Sequence, residues 1–235
     1  MKDSSGIWVA LECSNRWAEG IVWEEGELHE FCLEENQSQS ADLVPMLKST
    51  LEGLKIDPKA VTDLVLNVGP GSATGLRMGV ALAQGWSLVY PELRIHASTL
   101  EACALEAMEE WIGVEDTASK AVLLSDAFGG EVFLQHLECD GKAWLGLGEM
   151  ARHPRDVIES LEGPMWVLED LGAWKEKMDW SAGLKRFDGK FPSVRHVLRA
   201  AQSGDLLRDI EDVDVRYLKP SSAELLWEKR NSKKG

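Results

Sequence analysis

Apolar and polar positions alternate along the chain in a way that marks out short strands and amphipathic helices. Ile7 to Leu11, Ala18 to Trp23 and Leu28 to Leu33 are apolar runs, the last two separated by the turn Glu24-Glu25-Gly26-Glu27. This pattern predicts a three-stranded antiparallel meander. A polar stretch from Glu34 to Ser40 leads into a helix, with Asp42 as cap and Pro45 in the first turn. Leu43, Met46, Leu47, Leu51 and Leu54 give that helix one apolar face. Val61 to Val68 is almost continuously apolar, as a parallel strand covered on both faces must be. A glycine-rich turn, a helix from Ala73 to Val89, a strand from Leu93 to Ala97 and a helix from a Ser98 or Thr99 cap to about Trp111 complete the first half.

The polar segment Gly113 to Ser119 lacks periodicity and divides the chain into expected domains 1–113 and 114–235. Element order then begins again. Strands are expected at Ala121 to Asp126, Glu131 to Glu138 and Ala143 to Leu147, with Phe128-Gly129-Gly130 as a turn. A helix from His153 to Leu161, a strand from Met165 to Leu168 and a helix from Ser193 to Ala201 follow. Each half reads strand–strand–strand–helix–strand–helix. The expectation is an α/β fold of duplicated design, like that of actin, hexokinase and the heat-shock chaperones (ASKHA), with a mixed sheet and helices in each domain.

Charge narrows the functional classes. The 235 residues carry 25 Lys+Arg against 40 Asp+Glu, a formal charge of −15. That balance disfavours nucleic-acid binding by this chain alone, which needs a basic footprint. The longest apolar runs fall short of the roughly 18 residues of a membrane span. Met1-Lys2-Asp3-Ser4-Ser5-Gly6 does not lead into an apolar signal core, so a cytoplasmic chain is expected. Cys13, Cys32, Cys103 and Cys139 form no C-x-x-C pair and are expected to be reduced. His29, His96, His136, His153 and His196 are scattered, without metal-ligand spacing. The basic tail from Lys229 to Lys234 is expected to be a solvated end, and Trp227 to pack on its own domain.

The most informative stretch runs from Val65 to Gly79 through Gly69-Pro70-Gly71-Ser72-Ala73-Thr74. A strand, a tight glycine turn and a helix in succession can aim backbone N–H groups at an anion. Thr74 breaks both the P-loop and the G-x-G-x-x-G spacing, and also the G-x-S-x-G of a serine nucleophile at Ser72. The turn alone therefore favours a structural connection. The helix behind it is polar only at Thr74, Arg77, Gln84 and Ser87, and so must be covered on more than one side. Gly75, Gly79 and Ala83 recur every fourth residue. Each interior glycine costs about 0.5–1 kcal/mol against alanine, which a closely approaching helix would offset. That helix is either the 42–54 helix of the same domain or one from another chain.

These residues resemble the TsaB (YeaZ) family. The run Gly69-Pro70-Gly71-Ser72-Ala73-Thr74-Gly75-Leu76-Arg77-Met78-Gly79 matches that family's G-P-G-S-[FA]-T-G-[LV]-R-[IML]-G. Ala97-Ser98-Thr99-Leu100-Glu101-Ala102 resembles V-S-T-L-E-A, and Asp126-Ala127-Phe128-Gly129-Gly130-Glu131-Val132-Phe133 resembles D-A-R-x-G-E-V-Y. Val215-Arg216-Tyr217-Leu218-Lys219 resembles P-x-Y-L-R, and Leu43-Val44-Pro45-Met46 the family's L-x-P-x. Three positions depart: Glu12 stands for the Asp of I-D-T, and Phe128 and Lys219 each stand for Arg.

The resemblance implies a subunit without catalytic residues, cofactor or metal of its own. It would pair with and activate TsaD in forming N6-threonylcarbamoyladenosine at position 37 of ANN-decoding tRNAs, together with TsaE. It also implies a homodimer in isolation, tRNA contact only through the complex, and ATP or ADP, if anywhere, at the heterodimer seam. The partner interface is expected on the two N-terminal helices, at Leu43, Met46, Leu47, Gly75, Arg77, Met78, Gly79, Leu82 and Ala83. A small-molecule ATP-dependent kinase of the same superfamily, built on Glu12, Asp126 and the glycine turn, is the alternative.

Overall fold

A run of central strands apolar on both faces has to be covered on both faces, and the architecture follows from that need. The computed structural model describes residues 6–15, 17–33, 39–111, 120–127, 129–140, 142–162, 164–170, 183–187, 191–204, 206–216 and 218. Its first sheet begins with the meander β1 (Ile7–Glu12), β2 (Glu19–Glu24) and β3 (Glu27–Cys32). Helix α1 (Gln39–Gly53) then leads to β4 (Val61–Asn67), α2 (Ala73–Val89), β5 (Arg94–Ser98) and α3 (Leu100–Trp111). The second sheet opens with the meander β6 (Lys120–Asp126), β7 (Glu131–Cys139) and β8 (Trp144–Pro154), followed by β9 (Met165–Asp170) and β10 (Leu184–Arg186). Helix α4 (Val194–Ser203) and the two-residue β11 (Leu207–Arg208) come last.

The strand orders are β11-β5-β4-β1-β2-β3 and β10-β9-β6-β7-β8. In both sheets the first strand of the meander is antiparallel to the second and parallel to the next strand outside the meander. The expected duplicated α/β design is therefore present as a shared topology of the two sheets.

Helices α1 and α2 cover one face of the first sheet, where Leu43, Leu47, Leu76, Val80 and Trp86 meet Val9, Leu11, Leu64 and Leu66. The opposite face belongs to a core shared by both sheets. Trp8, Ala10 and Val65 of the first sheet and Leu123, Phe133 and Leu168 of the second enclose Leu100, Ala104 and Met108 of α3 with Val197, Leu198 and Ala201 of α4. Helix α3 follows the first sheet yet also touches β8, while α4 follows the second yet lies against β1, β2, β4 and β5. Glu106 and Glu110 of α3 bridge to Arg199 of α4, the latter at 2.9 Å.

Several expectations need correction. Helix α1 begins at Gln39, so Asp42 sits inside its first turn and Pro45 lies within the helix. There Pro45 has no N–H to offer the Ala41 carbonyl, and it is exposed, where water can serve that oxygen. The expected helix at 153–161 is replaced by a longer β8 and a 3-10 turn at Arg155–Ser160. Pro154 disfavours helical backbone at His153, which instead pairs with Val132. Gly148, at φ +70°, lies in β8 where its ladder with β7 shifts register, and this bulge hides the strand's alternation. The short strands β10 and β11 were not expected. Because α4 and β11 return to the first sheet, a split at 113/114 does not separate the sheets' covering elements. The junction at 113–119, the tail and Trp227 lie outside the described residues.

The shared core predicts cooperative unfolding. Replacing Leu100, 1% exposed between the sheets, by alanine should cost about 2–5 kcal/mol. Urea unfolding followed by tryptophan fluorescence and by far-ultraviolet circular dichroism should shift to lower denaturant as one transition, not as two.

Candidate functional site

The glycine turn joins β4 to α2. Gly69 has φ +117°, a conformation side chains disfavour. Its N–H donates to Asn67 Oδ1 at 2.9 Å, and its carbonyl accepts from Leu100 N at 3.0 Å. Ser72 N donates to the Ser14 carbonyl at 2.7 Å, and Ser72 Oγ accepts from Gly75 N as the cap of α2. A Cβ on Gly71 would lie 2.5 Å from Ser14 Cβ, so the turn presses against the loop after β1. Arg216 N reaches the Val68 carbonyl at 2.8 Å, tying the later segment to the same place. The amides of Gly69, Ser72 and Gly75 are thus spent within the chain, and the turn works as a latch between segments.

Glu12 lies beneath this latch, fully buried. Its carboxylate accepts from Ser14 N at 2.5 Å and from Asn67 Nδ2 at 2.7 Å. Glu12 thus ties the loop after β1 to β4. Asp126, at the end of β6, pairs with Arg155 Nη2 at 2.5 Å. Burial, with the Glu12 charge adding to it, pushes the Cys13 thiol far above its ordinary range, and burial does the same to Cys103. Neither is a thiolate nucleophile. Among the described residues no group of three His, Cys, Asp or Glu side chains is placed to hold a metal, and no helix is long and apolar enough to cross a membrane.

The expected interface residues divide into two sets. Leu43, Leu47, Gly75, Gly79 and Ala83 are buried against their own sheet and so form no contact surface. That is a correction to the role expected of them: a Cβ on Gly79 would stand 3.9 Å from Leu66 Cδ1, at ordinary contact distance with its own chain. Arg77 is exposed, and Met46, Met78 and Leu82 are half-buried at the outer edge. Three large apolar residues absent from the expected set are exposed on the same two helices: Val44 at 52%, Leu88 at 84% and Val89 at 66%.

Met78, Ala81, Leu82, Gly85, Leu88 and Val89 follow one another at helical spacing, so the outward side of α2 is an apolar stripe. Its notch is at Gly85, where a Cβ would meet nothing within 4 Å. Leu76, Val80 and Trp86 take the core side together with Gly75, Gly79 and Ala83, while Met78, Leu82 and Leu88, of comparable bulk, lie outward.

Two further polar clusters are built into the fold. On β4, burial pushes the Asp63 carboxyl up, but hydrogen bonds from His96, Arg94 and Thr62 outweigh it and hold the group below its ordinary value. Asp63 meets Arg94 Nη2 at 2.6 Å and His96 Nε2 at 2.7 Å, with Trp8 stacked on the His96 ring. At the start of α4, Ser193 Oγ and His196 Nδ1 are 3.0 Å apart. This is a contact within the first helical turn. The backbone N–H of Val194 meets Glu19, so that helix end is not available as an oxyanion hole.

These observations define the class: an α/β protein of the two-sheet ASKHA design whose glycine turn is hydrogen-bonded within the chain and whose second helix bares an apolar stripe. Comparison with known proteins places it further. A family model described as TsaD, tRNA N6-adenosine threonylcarbamoyltransferase, matches residues 35–164, more than half of the chain. The tRNA threonylcarbamoyladenosine biosynthesis protein TsaB of Escherichia coli (strain K12) is 26% identical over 204 residues, covering 82% of this chain and 84% of that protein. The crystal structure of YeaZ from Pseudomonas aeruginosa superimposes with a TM-score of 0.70 at 20% identity, over 91% of this chain and 100% of that one. A second Pseudomonas aeruginosa structure, described as similar to peptidase YEAZ, gives a TM-score of 0.71 at 18% identity with the same coverage. The chain belongs to the TsaD family of that model and, within it, to the TsaB (YeaZ) group.

Two predictions follow from this geometry. Gly79→Ala should fit without displacement and stabilise the chain by about 0.5–1 kcal/mol through helix propensity, read as a higher urea midpoint. Acid should destabilise the fold in two stages. Burial lowers the His196 pKa from 6.5 to about 4, against an opposing pull from Glu110. The unfolded chain therefore takes up that proton first, and on the order of 3 kcal/mol of stability is lost as pH falls from 6.5 towards 4. The contribution from Asp63 is present above its ordinary carboxyl range and is lost only as pH falls below it. Urea midpoints measured between pH 7.5 and 4.5 should fall for the native chain and fall less for His196→Asn.

Proposed function

We propose that this chain is a non-catalytic subunit in the formation of N6-threonylcarbamoyladenosine at position 37 of ANN-decoding tRNAs. In this reading it pairs with and activates TsaD, with TsaE as a further component. The name of the Escherichia coli relative and the matching family model support the pathway. The observation that carries the subunit role is the apolar stripe on α2, with Met46 half-buried and Val44 exposed on α1. Exposed apolar faces of this kind on a monomer mark association surfaces. The interface therefore uses Met46, Arg77, Met78 and Leu82 from the expected set and adds Val44, Leu88 and Val89. In the absence of TsaD the same stripe pairs two copies of the chain.

The catalytic groups belong to TsaD in this account, which fits the engagement of Glu12 under the glycine latch. An adenine nucleotide, where one participates, sits at the heterodimer seam and not in this chain alone. With a formal charge of −15, the chain meets tRNA only through the complex, in the cytoplasm.

Leu88→Glu and Leu82→Arg test the assignment. Large interface side chains contribute about 2 kcal/mol or more, so each variant should bind TsaD about 30-fold or more weakly in calorimetry. Leu88→Glu should leave the unfolding midpoint unchanged because Leu88 is 84% exposed. Native affinity in both variants would refute the assigned surface.

A further inference from the structure

A cavity of about 500 Å³ opens between the two sheets on the side of β3 and α4, within the range of small-molecule sites. The glycine turn, Glu12 and Asp126 do not line it, so it is separate from the surface assigned above. Phe31 and Phe187 form much of its wall, with Ala107 and Val194 between the polar groups.

Its chemistry is set by His196. The imidazole is only 6% exposed and is flanked by the rings of Phe187 and Phe191 at 6.4 and 6.2 Å between centroids. Nδ1 is engaged by Ser193 Oγ at 3.0 Å. Nε2 lies 3.8 Å from Glu110 Oε2, beyond hydrogen-bonding distance. An imidazole whose Nδ1 carries the proton offers a lone pair at Nε2. In the tautomer that donates from Nδ1 to Ser193 Oγ, Nε2 and Glu110 Oε2 are two acceptors 3.8 Å apart, and a single N–H-rich nitrogen can stand about 2.9 Å from both. Burial keeps the ring neutral down to about pH 4.

The surrounding charges favour a cation in that place. Glu19, Glu30 and Glu110 line the cavity. Arg195 is held by Glu30 at 2.5 Å, Arg199 holds Glu110 at 2.9 Å, and Glu19 accepts from Val194 N, so the described lining has three carboxylates and one guanidinium, that of Arg195. Phe31 and Phe187 in the lining supply aromatic surface of the kind that attracts an ammonium.

We propose that this cavity binds a small organic cation: a primary ammonium on an apolar stem, its nitrogen between His196 Nε2 and Glu110 Oε2 and its stem against Phe31 and Phe187. The test uses 2-phenylethylammonium on the intact chain, with 2-phenylethanol and phenylacetate as neutral and anionic counterparts. Cys32 lines the cavity and is exposed, so its alkylation by iodoacetamide, resolved by peptide mass, reports occupancy beside calorimetry. Expected are saturable one-to-one binding of the ammonium and slower alkylation of Cys32 but not of Cys139. The alcohol should bind about tenfold more weakly or worse, and phenylacetate not at all, since the charge-assisted bonds are the stronger ones. Glu110→Gln should weaken ammonium binding about tenfold, and Phe187→Leu, which keeps the wall apolar, should weaken it several-fold, each with its unfolding midpoint checked. Absence of saturable binding, equal protection by the alcohol or the carboxylate, or native affinity in both folded variants would overturn the proposal.

Discussion

Helix α2 carries more apolar surface than one sheet can cover, and that surplus constrains the rest of the molecule. Leu76, Val80, Ala83 and Trp86 settle on β1 and β4, with Gly75 and Gly79 between them. The glycine latch before the helix fixes its phase: Ser72 caps it while Ser72 N is tied to Ser14 and Gly69 to Asn67 and Leu100. With that phase set, Met78, Leu82, Leu88 and Val89 face outward. The latch has a second consequence. The amides of Gly69 and Ser72, with Glu12 beneath them, join the loop after β1, β4 and α3. One local arrangement thus accounts both for the latch and for the bared stripe.

The other organising feature is the crossing of α3 and α4. Each helix follows one sheet in sequence and packs across to the other, so the deepest core, from Trp8 to Leu168, belongs to both halves. Glu19 at the start of α4 and the Glu106, Glu110 and Arg199 cluster reinforce this crossing. The seam leaves a cavity at the α4 end, beside His196. Helices α1 and α2 pack on the other face of the first sheet, away from that seam.

Much of the fold is legible in the sequence because its signals are local. The Pro70-Gly71-Ser72 bend and the length of the apolar run define α2 to the residue, and Thr99 caps α3 through Ala102 N at 3.2 Å. The meander repeated before and after the middle of the chain reveals the duplication. What escapes is set by distant partners. Two residues, Leu207 and Arg208, become a strand only because β5 offers an edge. The extension of β8 to Pro154 depends on β7, and the bulge at Gly148 conceals its alternation. Of the residues expected at the interface, Gly75, Gly79 and Ala83 lie on the buried side of α2. Spacing alone gives a period without a phase, and the row Gly75, Gly79, Ala83 is as regular as the row Ala81, Gly85, Val89. Met78, Leu82 and Leu88 on one side are as bulky as Leu76 and Val80 on the other, so the phase is set by packing on β1 and β4 and not by the helix's own sequence.

The central claim is that the outward stripe of α2 is covered by TsaD. Carbene footprinting of this chain, free and mixed with TsaD, measures that coverage residue by residue. The account predicts loss of labelling at Met78, Leu82, Leu88 and Val89 on α2 and at Val44 and Met46 on α1, with β8 unchanged. Undiminished labelling of the stripe in a demonstrated complex, with protection elsewhere on the chain, would contradict it.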